Sequence, residues 1–230
     1  MTYKIVIPVY TNEHILDNCL KSIDVDWSHL IIVDNSKESF CKKYEGRGAT
    51  IYYFPENIGC ARAWNLGLKA GADWTFIVGI SAVFPNGFSE ILLDIHKGSQ
   101  YALITDLSYH CNAISKKLVE KIGFFDENFY PAYYEDTDFQ RRMHLAGVDE
   151  PNIVIPAYST MMANSVTSKE GLPVHYQHLQ DYYKEKWGGI PGEETFKTPF
   201  GKPENDLKYW KGEALSTLQI RYELNALKIN

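Results

Sequence analysis

The sequence predicts an α/β protein with a mainly parallel central sheet flanked by helices, followed by a C-terminal extension of helices and loops. Two patterns carry this prediction. Short runs rich in Val and Ile alternate with segments of helical periodicity through the first half of the chain. Strands that alternate with helices imply right-handed crossovers, and such crossovers join parallel neighbours. The third observation is size. A chain of 230 residues, 45% hydrophobic and 23% charged, buries roughly 70–75% of its unfolded surface and can build its own core.

Taken in order, Lys4 to Val9 (KIVIPV) reads as a buried strand and Asn12 as the cap of a helix. Ile15, Leu16, Cys19, Leu20 and Ile23 then recur at helical spacing. Leu30 to Val33 (LIIV) is a second strand, ending in the turn Asp34-Asn35-Ser36. Thr50 to Phe54 is a third, and Pro55 to Gly59 forms a loop before a helix over Cys60 to Ala70. A fourth strand spans Trp74 to Val78, a helix Phe88 to His96, and a fifth strand Tyr101 to Thr105. From Asn112 the pattern changes to a helix at Ser115 to Ile122, an aromatic stretch (Phe124 to Tyr134), and a helix from Glu135 to Ala146 stopped by Gly147. Beyond Pro151 two further helices are expected, at His178 to Trp187 and Asn205 to Leu227. The organisation expected is an α/β core over 1–150 and an extension over 151–230 that completes the same structural domain.

Composition excludes several classes. A net charge of −6 and a pI near 5.6 argue against a nucleic-acid partner bound through bulk positive charge. The longest nearly apolar stretch, Trp74 to Phe84, falls short of the roughly 20 residues of a membrane span. No secretory h-region follows Met1 to Pro8. Cys19, Cys41, Cys60 and Cys111 are too scattered for a zinc site or a disulfide framework. A soluble cytoplasmic protein is expected, with peripheral membrane contact left open.

In a parallel sheet, ligands bind at the carboxyl ends of the strands. Tyr10-Thr11, Asp34-Asn35 and Gly79 to Phe84 all fall there. Asp34 can accept from a ribose or a base, although capping a turn is the more common role of such an Asp. Arg62 and Asn65 lie three apart near the start of a helix, a suitable place for a diphosphate. The run Tyr134-Glu135-Asp136-Thr137-Asp138 puts three carboxylates at a helix start. The helix dipole favours acids there, but capping needs one, not three. A carboxylate in an aromatic-walled cleft suits a general base. Arg141 and Arg142, one turn on, offset the acids.

IVIPVY, IIVDNS, ENIGCARAWNLGLKAGA, NAISKKLVEKIGFFDENF and YYEDTDFQRRMHLAG resemble, in order, the successive blocks of the GT-A-type glycosyltransferases of family 2. The resemblance covers about residues 3–148. It implies a GT-A, Rossmann-like fold and an enzyme that moves a sugar from a nucleotide-diphosphate donor to a hydroxyl with inversion. UDP is the expected nucleotide, with GDP and dTDP as alternatives. The acceptor is a polysaccharide, a glycolipid or a glycoprotein glycan. Pro8, Tyr10, Asp34 and Asn57 match residues that line the family's nucleotide pocket. Asp136 matches its base, and Glu135 would orient the acceptor or the base.

One departure stands out. The family places an acidic Asp-x-Asp segment after the fourth strand to hold Mn2+ or Mg2+ against the diphosphate. This chain reads Val78-Gly79-Ile80-Ser81-Ala82-Val83 there. Ser81 offers only a hydroxyl, whereas a hard cation wants carboxylates. The readings left open are a metal held weakly through the diphosphate, a dispensable metal, or a non-catalytic relative that binds nucleotide or glycan. His175 or His178 is the expected protein ligand if a metal binds, from the region where the family often brings a histidine. Lys186, at the hinge of a glycine-rich loop that would close over the donor, is the expected substitute for part of the lost charge. His110 is a further candidate facing the donor sugar.

Overall fold

The structure is a computed structural model and describes residues 1–85, 87–90, 102–104, 111–148, 158–159 and 173–203. Its strands in chain order are β1 (Tyr3–Val9), β2 (Leu30–Asp34), β3 (Thr50–Tyr53), β4 (Trp74–Val78), β5 (Ala82–Val83), β6 (Ala102–Ile104), β7 (Cys111–Ser115) and β8 (Tyr158–Ser159). Six of them form one sheet in the order β3-β2-β1-β4-β7-β6, and β5 pairs with β8 in a small ribbon. β1, β2, β3 and β4 are mutually parallel, while β7 runs antiparallel between β4 and β6. These first four strands fall within a residue of the limits the pattern predicts. β7 has no such limits in the sequence, because Asn112 interrupts its apolar run.

The described α-helices with stated bounds are α1 (Glu13–Lys21), α2 (Cys60–Lys69), α3 (Lys116–Ile122), α4 (Glu135–Leu145) and α5 (Pro173–Trp187). Asn12 precedes α1 in the left-handed region, with φ 62°, and its side chain makes no capping bond. Ser115 does cap α3, its Oγ accepting from Leu118 N at 3.1 Å. α5 begins earlier than expected, at Pro173, a residue tolerated in a first helical turn. Of the expected helix at Phe88 to His96, residues 88–90 are helical and the rest lies outside the described residues. The helix expected at Asn205 to Leu227 also lies outside them. No helix among the described residues is long and apolar enough to cross a membrane.

Strand alternation divides the core. Ile5, Ile7, Val9, Leu30, Ile32 and Phe76 face α1. Val6, Ile31, Val33, Ile77 and Ile114 face α2, α3 and α4 through Ala63, Trp64, Leu118 and Phe139. Burying each such aliphatic contributes about 1.5–3 kcal/mol. A third cluster, Phe129, Tyr134, Leu179, Tyr183 and Trp187, joins the start of α4 to α5. The carboxyl ends of β1 to β4 and the amino end of β7 share one edge of the sheet, so the loops carrying the candidate residues converge there.

α2 lies directly on β1. A Cβ added at Gly67 would stand 2.5 Å from Cβ of Val6, and neither backbone can withdraw without disturbing the sheet. Gly67→Ala is therefore expected to destabilise the fold by about 1–3 kcal/mol, measured by urea denaturation at unchanged m-value.

Candidate functional site

The site begins in the notch between β1 and β2. Asp34 is fully buried. Its Oδ1 accepts from the backbone and hydroxyl of Ser36, and its Oδ2 accepts from Cys41 N at 2.8 Å. The carboxylate expected to read a ribose or base thus holds its own turn together. Asn35, one residue on, faces the opposite way. It is 4% exposed, its N donates to Val9 O at 2.7 Å, and its Oδ1 is buried without a partner. Thr11 Oγ1 and Asn12 Nδ2 are likewise buried and unpartnered. Pro8 and Tyr10 are half-buried at the same edge. Sequence reasoning passed over Asn35, although strand alternation alone puts it on the face opposite Asp34.

The loop into α2 forms the next wall. Asn57 Oδ1 accepts from Gly59 N at 2.9 Å, and Tyr130 Oη donates to Asn57 O at 3.0 Å. Gly59 has φ 83°, and a Cβ there would meet the Tyr130 ring at 2.9 Å and Pro131 O at 3.0 Å. Cys60 N donates to Pro131 O at 2.9 Å. The first N–H of α2, expected to face an anion, is therefore bonded to the aromatic segment. Arg62 is half-buried on the next turn. Asn65 does not share an anion site with it. It is buried, donating to Phe125 O and Glu127 Oε1 and accepting from Phe125 N.

Those bonds bring the start of α4 against the start of α2. Tyr133 and Tyr134, with φ 89° and 69°, enter the helix through the left-handed region. Such conformations cost about 1–3 kcal/mol each and persist only under firm packing. Tyr134 is held by Gln180 Nε2, which donates to its Oη at 3.1 Å, and by the Tyr176 hydroxyl at 3.2 Å. Asp136 is half-buried, its Oδ1 accepting from Thr137 N at 2.7 Å. Glu135 is 5% exposed, and its Oε2 has no partner. Burial, then the neighbouring Asp136 charge, pushes its pKa up to about 8. Cys60 faces the pair: burial, then the Glu135 and Asp136 charges, raises its thiol pKa. The site therefore sets a buried carboxyl of raised pKa beside the half-buried carboxyl of Asp136, an arrangement suited to proton transfer.

The third acid of the run has another task. Asp138 is fully buried, accepting from Arg142 Nε at 2.9 Å and Trp187 Nε1 at 2.9 Å, with Lys186 Nζ at 2.5 Å. Lys186 also meets Asp126 at 2.7 Å. Burial would raise the Asp126 pKa, but the Lys186 ammonium holds it below the usual carboxylate range. Lys186, expected at a loop hinge beside the donor, is thus an interior residue of α5 clamped between two carboxylates. The loop after it is also tied down. Phe196 N donates to Trp187 O at 3.0 Å, Tyr183 Oη to Glu194 Oε1 at 2.6 Å, and Arg141 Nη2 to Phe196 O at 3.1 Å.

The residues after β4 do not fit a hard divalent cation. Gly79, Ile80, Ser81 and Ala82 bring no carboxylate, and Ser81 is buried in a turn closed by Ala82 N donating to Gly79 O at 2.9 Å. Among the described residues no group of three or more His, Cys, Asp or Glu could hold a metal. His178 is exposed on α5. His175 lies in the same helix, but its side chain, like the whole of His110, is outside the described residues.

A twisted sheet of this order, with a carboxylate-bearing helix start at its carboxyl edge, is the GT-A arrangement, and solved structures agree. The chain superposes on a mannosyltransferase from Pyrobaculum calidifontis, solved with GDP-Man and Mn2+, with a TM-score of 0.51 and 16% identity over 66% of this chain and 55% of that one. A glucosyl-3-phosphoglycerate synthase from Mycobacterium tuberculosis, solved with Mg2+ and UDP, matches at TM-score 0.50 and 14% identity over 77% of this chain and 79% of that one. S. aureus TarS matches at TM-score 0.50 and 15% identity over 64% of this chain and 34% of that one. The chain spans about half of the mannosyltransferase and a third of TarS. No family model matches the chain, and no curated protein does. The fold is that of the GT-A glycosyltransferases.

Two outcomes test this account. Lys186→Met leaves two buried carboxylates without their shared cation and is expected to cost about 3–5 kcal/mol in chemical denaturation. Glu135 has a folded pKa above its unfolded value, so its stabilising contribution is whole below pH about 4.5 and is lost as the pH rises toward about 8. Glu135→Gln removes that dependence. The variant should gain stability relative to the parent between pH 5 and pH 8, and a difference constant over that range would refute the buried-acid assignment.

Proposed function

We propose that the chain is an inverting glycosyltransferase of the family 2 type, taking its sugar from a nucleoside-diphosphate donor, UDP first among them. The acceptor hydroxyl belongs to a glycan, a glycolipid or a glycoprotein. The observation that carries this reading is the Glu135-Asp136 pair at the start of α4, set against the loop into α2 at the carboxyl edge. In the reaction the acceptor hydroxyl attacks the anomeric carbon opposite the departing diphosphate. Asp136 takes the hydroxyl proton as the new bond forms, and one displacement inverts the centre. Glu135, as a neutral acid, donates a hydrogen bond to the acceptor or to Asp136 and so orients the pair. The unpartnered Asn35, Thr11 and Asn12 groups in the β1–β2 notch are assigned to the base and ribose. Pro8 and Tyr10 flank them, while Asp34 and Asn57 shape the loops.

The leaving diphosphate gathers negative charge that preorganised donors must stabilise. Arg62 is the cation assigned to it. Lys186 is withdrawn from that role by its two carboxylate partners.

Calorimetric titration with UDP, GDP and dTDP, each with Mn2+ and with EDTA, tests the donor assignment. One nucleotide is expected to bind, and binding that survives EDTA would agree with the residue set after β4. No binding under either condition would overturn the assignment. Asp136→Asn should then reduce release of nucleoside diphosphate from its sugar donor by about 10²–10⁴-fold, with nucleotide affinity unchanged within about twofold. A protein that binds nucleotide but whose parent and D136N forms both transfer nothing would be the binding-only relative instead.

A further inference from the structure

On the face of the sheet that packs against α2, one row of paired residues runs Ile31, Val6, Ile77, Asn112, Ile104 across β2, β1, β4, β7 and β6. Val6, Ile31 and Ile77 are buried aliphatics in this row, and Asn112 stands beside them. That residue is 2% exposed, and neither its Nδ2 nor its Oδ1 has a hydrogen-bond partner. Nothing in the packing calls for a carboxamide there. Valine or isoleucine would continue the row, favour the strand and remove two unsatisfied groups, whose burial is unfavourable by about 1–3 kcal/mol apiece.

Its position says what it is for. Asn112 is the second residue of β7, whose amino end lies on the edge where β1 and β4 end. Two residues beyond Ile77, its neighbour on β4, the chain has Gly79, which brings no side chain over the row. The notch with the unpartnered Asn35, Thr11 and Asn12 groups lies on the far side of β1. β7 is two strands from β1, roughly 10 Å at ordinary strand spacing, on the side of β1 away from the notch. On the same face, the remaining unpartnered carboxyl oxygen is that of Glu135, at the start of α4.

The chemistry narrows the ligand. A carboxamide offers one donor and one acceptor side by side. A phosphate only accepts, so it would leave Oδ1 unpaired. Two adjacent hydroxyls of a pyranose match both atoms at once.

We infer that Asn112 reads hydroxyls of the sugar being transferred, donating through Nδ2 to one and accepting through Oδ1 from its neighbour. This rests on the glycosyltransferase reading above. It makes Asn112 a specificity-determining residue that bears on which sugar is accepted, apart from the groups that hold the nucleotide. The two unpaired atoms are the state before the donor arrives, since a site built to bond a hydroxyl leaves its polar groups unsatisfied without one.

Asn112→Val tests the inference, using UDP, GDP, UDP-glucose, UDP-N-acetylglucosamine and GDP-mannose as probes. The variant is expected to melt about 2–4 °C higher, because an aliphatic replaces an unsatisfied amide. It should bind the nucleoside diphosphate as the parent does, within about twofold, and bind the matching sugar nucleotide at least about tenfold more weakly, the loss of two net hydrogen bonds. Equal affinity of parent and variant for the sugar nucleotide would overturn the inference and leave the donor reading standing. A variant that melts lower and loses nucleoside diphosphate as well would show a structural amide and also overturn it. If the parent binds none of the five probes, the donor reading itself fails and the inference falls with it.

Discussion

Four buried charges in series brace the carboxyl edge of the sheet where α4 begins. Asp126, Lys186, Asp138 and Arg142 alternate in sign through contacts of 2.7, 2.5 and 2.9 Å. All four are essentially excluded from water. Taking them out of water is expensive, and the attraction offsets that only when every partner is present and correctly placed. The chain is closed by neutral groups: Tyr182 Oη on Asp126, Trp187 Nε1 on Asp138, and Ile122 O accepting from Arg142. The four charges come from the aromatic segment, α5 and α4, and Ile122 O adds the end of α3, so the network specifies how these pieces meet. The position of Glu135 and Asp136, one turn from Asp138, depends on it.

The polar groups at the carboxyl edge fall into two sets. Asp34, Asn57, Asn65 and Asp138 are engaged within the protein. They fix turns and helix contacts, and their residue types are what such turns ordinarily need. Thr11, Asn12, Asn35, Asn112 and Glu135 each carry a buried atom without a partner. Buried polar atoms in native proteins are nearly always bonded, so these exceptions at the carboxyl edge are the groups the proposed donor site draws on. The strained Tyr133 and Tyr134 belong to the same edge and are held by α5 through the Tyr134 hydroxyl. Stability is thus given up in a limited region, backed by the buried ion network behind it.

The same division explains what was legible beforehand. Strands β1 to β4 were readable because buried parallel strands are runs of Val and Ile, and this signal is local. The Glu135-Asp136-Asp138 cluster was readable because three acids in four residues exceed what capping requires. β7 was less so, since the buried Asn112 breaks its apolar pattern. Lys186 was misplaced because a lysine followed by two glycines reads as a hinge. Its partners, Asp126 and Asp138, stand 60 and 48 residues away in the chain, and no local pattern pairs them.

By itself, then, the sequence determined the α/β class, the order of the elements and the helix start that bears the acids, because these follow from periodicity and composition within short windows. Only the tertiary structure decided which polar residue is bonded within the protein and which is left with an unpartnered atom. Asp34 and Asn35 adjoin in sequence, yet one ties its own turn and the other is buried with its Oδ1 unpartnered. Asp136 and Asp138 share a helix turn, yet one lies at the edge and the other at the centre of a buried ion chain. That choice depends on the partners each side chain finds across the fold, and hydrogen bonds and charges take their energies from those partners and from the water they exclude.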